Sequence, residues 1–214
     1  MNKYIIEFIG TYFLMLTICM TVLCGLGNFA PIAIGLGLIG LIYMGGHISS
    51  AHYNPAVTLA FILCRKIYNS DILGYLVAQV LAAFLATLTS GFLLEDHTSV
   101  IELSALDLSS NIMPALLAEF LGTFILCLVI LNVAIAKGTA GNSFYGVAIG
   151  FTVIGIAYAF GGISGGAFNP AVAIGISIVG IVEWNDIWVF LLANFSGGAV
   201  AALVFQMTTD VVEK

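Results

Sequence analysis

GGHISSAHYNPAVTLAFILC at 45–64 and GGISGGAFNPAVAIGISIV at 161–179 decide how this chain folds. Each opens on a glycine-rich break, passes through an Asn-Pro-Ala triplet at 54–56 or 169–171, and closes on a short apolar run. At ~1.5 Å rise per residue such a run crosses only about half of the ~30 Å hydrocarbon layer. Asparagine is a good helix N-cap and proline suits the first helical turn, so both triplets read as helix starts after a loop. One Asn-Pro is an ordinary cap. A matched pair predicts two half-length helices, over 54–64 and 169–179.

Around these segments lie six stretches long enough to span a bilayer, at 4–25, 31–47, 72–94, 112–136, 144–161 and 187–207. The second and fifth are short, and the quoted segments follow them directly. Of 214 residues only 5 are Lys or Arg and 11 are Asp or Glu, 7 % charged where a soluble domain carries roughly 25 %. Apolar types make up 61 %, which leaves too little polar surface to cover a globule in water. Lipid is the natural solvent. A net charge of -6 with scattered cations removes the basic footprint of a nucleic-acid binder. Cys19, Cys24, Cys64 and Cys127 lie in or beside apolar runs without metal-ligand spacing. There is no catalytic Ser/His/Asp set and no phosphate loop, so the sequence calls for no enzyme, no metal and no cofactor. The amino end does not read as a cleaved signal, because Glu7 interrupts its apolar stretch.

The chain is duplicated. EFIGTYFL at 7–14 returns as EFLGTFIL at 119–126, and the triplets repeat at nearly the same offset. Residues 1–94 form the first repeat, 95–111 an extracellular connecting loop, and 112–214 the second repeat. Three spans per repeat is an odd number, so the second copy enters the membrane upside down. The expected fold is therefore an all-α membrane protein with six transmembrane helices, two re-entrant half-helices and an inverted repeat. Lys3, Arg65, Lys66, Lys137 and Lys214 then fall on one side, while Glu95, Asp96, Glu102, Asp107, Glu183 and Asp186 collect on the other. The positive-inside bias puts both termini in the cytoplasm. Trp184 and Trp188 read as interfacial anchors.

Half-helices entering from opposite faces bring their amino ends together near mid-depth, and irregular backbone there must be buried in protein or line water. Each end presents roughly +0.5 charge from unpaired N–H groups, which repels cations and hydronium. Asn54 and Asn169 offer amide donors that hold a water by its oxygen. Glu7 and Glu119 are costly in lipid, by at least ~2.5–3.5 kcal/mol if unpaired. They are either coupling groups of a carrier or braces for the re-entrant loops, and their duplication favours the brace. His52 belongs to the inner vestibule or supports its loop, with a structural role favoured over gating. His47 reads as structural and His97 as solvated.

These residues resemble those of an aquaporin, a member of the major intrinsic proteins. HYNPAVTLA at 52–60 is similar to the family signature, GAFNPAV at 166–172 resembles its second copy, and the likeness extends to Glu7, Glu119, AQ at 78–79 and Gly197-Gly198. The resemblance implies a six-span bundle with a pore through each protomer, assembled as a homotetramer in the plasma membrane. Pro55, Ala56, Pro170 and Ala171 would belong to its pore motifs with the two asparagines. It also implies a selectivity filter at Ile34, Ala157, Gly166 and Val172. The family carries arginine at the last of these positions, and this chain carries valine. The expected function is a passive channel for water and small uncharged solutes that excludes protons and ions. Two alternatives stand beside it: a gas, ammonia or small-polyol facilitator with poor water conduction, and an alternating-access carrier using Glu7 and Glu119.

Overall fold

A computed structural model describes residues 1–95 and 106–210. The expectations for Asp96, His97, Glu102 and Lys214 lie outside the described residues. Among the described residues eight α-helices follow in order: α1 (Asn2–Leu23), α2 (Ala30–Ser49), α3 (Pro55–Leu63), α4 (Asn69–Leu94), α5 (Ile112–Ile135), α6 (Tyr145–Ser164), α7 (Pro170–Ile178) and α8 (Ile187–Thr208). Six are long and apolar enough to cross a membrane, whereas α3 and α7 have 9 residues each.

The packing shows the duplication directly. α1 lies along α4 as α5 lies along α8; α1 meets α2 as α5 meets α6; α3 packs on α8 as α7 packs on α4. α2 touches α6 and α3 touches α7, so exchanging the first four helices for the last four maps each contact onto another. This is an approximate two-fold axis. Close approach on and near it depends on small residues. A Cβ on Gly35 would lie 2.7 Å from the Gly150 carbonyl oxygen, and one on Gly150 would lie 2.6 Å from that of Gly35. In α8, a Cβ on Gly197 or Gly198 would come within 2.7 Å of the Phe120 or Ala56 carbonyl oxygen. The matching positions of α4 are Ala82 and Ala83, both fully buried.

α2 and α6 run two and three residues past the expected ends, to Ser49 and Ser164. The glycines at 45–46 and 161–162 do not break these helices. Termination comes instead from left-handed backbone at Ser50 (φ 68°) and Gly165 (φ 91°), where the chain turns back into the protein. Glycine 45 is needed for another reason: a Cβ there would meet the Tyr53 hydroxyl. Near the same end of the bundle Lys3 forms an ion pair with Asp71, which also accepts a 2.7 Å hydrogen bond from the Tyr4 hydroxyl. These contacts tie the start of α1 to the start of α4.

Candidate permeation site

The two half-helices meet amino end to amino end through their asparagines. Asn54 caps α3 by accepting from the Ala56 N–H at 2.8 Å, and Asn169 caps α7 by accepting from the Ala171 N–H at 2.9 Å. Their amide nitrogens then cross over. Asn54 Nδ2 donates to the Phe168 carbonyl and Asn169 Nδ2 donates to the Tyr53 carbonyl, each at 2.9 Å. One of the two donors on each amide is thereby spent on the junction, which leaves one N–H apiece for anything in the adjoining space.

The loops leading into this junction share one backbone path. Residues four, three and one before each asparagine are left-handed: Ser50, Ala51 and Tyr53 in the first loop, and Gly165, Gly166 and Phe168 in the second. Such backbone strains any residue with a Cβ, so something must hold it. Glu7 and Glu119 lie fully buried behind the loops. Glu7 Oε1 accepts from the Ser49 hydroxyl at 2.7 Å and the His52 N–H at 2.9 Å; Oε2 accepts from the Tyr53 N–H and Gln79 Nε2, both at 2.8 Å. Glu119 repeats the pattern with Ser164 (2.6 Å), Ala167 N–H (2.9 Å), Phe168 N–H (2.7 Å) and Asn194 Nδ2 (2.8 Å). Four donors saturate each carboxylate.

A cavity of about 410 Å³ passes the junction. Asn54 and Asn169 line it, and so do Ile34 of α2, Ala157 of α6, Gly166 and Val172. Its remaining walls are largely aliphatic, including Leu14, Ile18, Leu38 and Ile42 of α1 and α2 and Ile130, Ile149 and Val153 of α5 and α6. The structure therefore brings the four expected filter residues and both asparagines to one space. It does not bring the other triplet residues there. Pro55, Ala56, Pro170 and Ala171 are buried away from the cavity, where the prolines open the helices and Ala56 lies against Gly198. His52 also lines the cavity, with its ring packed 4.2 Å from Phe61 and 5.0 Å from Tyr75 between centroids and Nδ1 hydrogen-bonded to Thr58 at 3.1 Å.

Major intrinsic protein is the description of the family that matches residues 1–205. The chain belongs to this family. A major intrinsic protein is an integral membrane protein, and the family's channels carry water and small solutes. Among its relatives, the glycerol uptake facilitator protein-like 6 of Lactiplantibacillus plantarum is 34% identical over 212 residues, covering 94% of this chain and 95% of the relative. Nodulin-26 of Glycine max is 34% identical over 214 residues, covering 97% and 78%. Aquaporin AqpM of Methanothermobacter thermautotrophicus is 31% identical over 243 residues, covering 98% of each. The X-ray structure of the aquaglyceroporin from Plasmodium falciparum superposes with a TM-score of 0.81 at 24% identity, over 96% of this chain and 95% of that one, and so shares the fold.

Sequence reasoning left several residues of this major intrinsic protein unassigned. Gln79 and Asn194 complete the two carboxylate shells, Ser49 and Ser164 contribute hydroxyls, and Tyr53 and Phe168 supply the carbonyls that receive the opposite asparagine. The signal was present. Ser49 with Ser164 and Gln79 with Asn194 recur at the same spacing as the two asparagines, so aligning the halves on the triplets pairs them.

Proposed function

We propose that this chain is a passive channel for water and small uncharged solutes, and that it admits solutes wider than water. The observation carrying this reading is the composition of the cavity beside the asparagine junction. Ile34, Ala157, Gly166 and Val172 border it without a charged, hydroxyl or aromatic side chain. A quartet of this kind offers no strong donor to grip a solute, and its small members leave width. Small polyols and ammonia are the solute class that fits. The paired amino ends of α3 and α7 supply the positive potential that turns away protons and cations. Their asparagines donate to the oxygen of a passing molecule.

In this reading Glu7 and Glu119 are braces that hold the strained loops, because an alternating-access carrier needs a carboxylate free to take up a proton or ion. Each of these already accepts four hydrogen bonds. The helix count with the cations Lys3, Arg65, Lys66 and Lys137 favours cytoplasmic termini in a plasma membrane. Assembly as a homotetramer rests on the family relationship.

Stopped-flow light scattering of vesicles holding the purified protein tests the channel. Water and glycerol fluxes should both exceed those of empty vesicles, vary linearly with gradient and show no saturation. Glycerol flux equal to that of empty vesicles would defeat the wide-filter reading, and saturable uptake abolished by Glu7→Gln would establish the carrier instead.

A further inference from the structure

Beyond the quartet, the cavity's outer rim holds a polar contact that no part of the reading above uses. Tyr158 follows Ala157 on α6 and lines the same cavity, as do Gly27 and Asn28 of the segment joining α1 to α2. Its hydroxyl donates to the Asn28 carbonyl, across 130 residues of sequence. The segment itself is a tight turn, with hydrogen bonds from the Gly25 N–H to Val22, the Leu26 N–H to Thr21 and the Phe29 N–H to Leu26, and the Tyr158 hydroxyl ties that turn to α6. Gly25 and Gly27 are both left-handed, at φ 70° and 52°, space around Gly27 is open, and Phe29 is 70% exposed. Glycine at these two positions lets the turn be tight, and the phenol of Tyr158 joins it to the next wall of the cavity.

We propose that Tyr158 is a size-determining residue at the outer mouth, where its hydrogen bond to the Asn28 carbonyl holds residues 25–29 as a rim over the apolar quartet. This rests on the channel reading and names where that channel sorts uncharged polyols by width. With Ile34, Ala157, Gly166 and Val172 too small and too apolar to discriminate by hydrogen bonding, the narrowing falls to the rim. Tyr158 supplies it in two ways. Its ring occupies the wall one residue from the filter, and its hydroxyl fixes the turn at 25–29 against α6 so that the two together border the mouth.

The test separates the rim from the channel. Ile34→Cys, made with Cys24 and Cys64 changed to serine, places a reporter thiol below the rim, and its reaction with a bulky membrane-impermeant maleimide is timed in nanodiscs. Tyr158→Ala should speed labelling several-fold, and Tyr158→Phe, which keeps the ring but loses the hydrogen bond, should fall between. In vesicles the erythritol-to-water permeability ratio should rise in the same order. Equal labelling rates in all three, with each protein monodisperse, would overturn the rim. A starting protein that conducts neither water nor polyol would defeat the channel reading, while the labelling rates still decide the rim.

Discussion

At the residue scale, the strongest constraint is the matching of four donors to each buried carboxylate. Glu7→Gln exchanges one acceptor oxygen for an NH2 group. Whichever way the amide turns, N–H then faces a backbone N–H, that of His52 on one side or Tyr53 on the other. A lost charge-assisted bond with a stranded donor costs about 2–3 kcal/mol. The same holds for Glu119→Gln at Ala167 and Phe168. Both variants should melt lower in detergent by similar amounts, and a neutral Glu7→Gln would mean that the first loop is held by other contacts. Backbone strain makes a second, opposed pair. Ala51 sits at φ 48°, where glycine is at ease, while Gly166 sits at φ 69° with a would-be Cβ 3.0 Å from the Gly161 Cα. Ala51→Gly should stabilise the fold and Gly166→Ala should destabilise it, by about 1–2 kcal/mol in each direction, read as a higher and a lower unfolding midpoint.

At the element scale, α3 and α7 are too short to persist alone and exist because their caps interlock. Isolated helices below ~12–15 residues are marginal in water, and these have 9. Asn169→Asp probes the interlock selectively. The carboxylate still accepts from the Ala171 N–H, so α7 keeps its cap, but it no longer donates to the Tyr53 carbonyl. It also puts an anion between two positive helix ends. Vesicles loaded with a pH-sensitive dye should then show proton entry that the parent protein blocks; an unchanged proton barrier would move exclusion away from this junction. The half-helices themselves were legible in the sequence, since Asn-Pro before a short apolar run is a local signal. For their supports the repeat spacing marks Gln79 and Asn194 as a matched pair but not what each one holds, because Gln79 reaches Glu7 across 72 residues and Asn194 reaches Glu119 across 75. The ends of α2 and α6 lie two and three residues beyond the expected ones, because the stop is set by left-handed backbone at Ser50 and Gly165, which the apolar pattern does not mark.

At the scale of the whole molecule, the approximate two-fold arrangement gives the cavity two unlike sides. Strained, braced loops carry the polar groups on one side, and aliphatic faces of α1, α2, α5 and α6 form the other. A polar solute held on one side and repelled by neither moves quickly. The duplication, the span count and the low charge were enough to read this frame from sequence, since each is a property of the chain as a string. Cavity width was not, because it depends on how closely helices such as α2 and α6 approach at Gly35 and Gly150. Val172 tests width directly. It occupies the first turn of α7, borders the cavity and is 3% exposed, so its side chain belongs to the wall. Val172→Arg replaces a small apolar group by a long cation with five N–H donors, aimed into a space about 410 Å³ in volume and bordered by Gly165, Gly166 and Ala167. Water, the smallest solute, should be slowed least. Glycerol and urea should lose permeability several-fold relative to water in stopped-flow light scattering, with protein per vesicle held equal. If all solutes fell by one common factor, the arginine would only be plugging the path, and the valine would not be what leaves the quartet open to solutes wider than water.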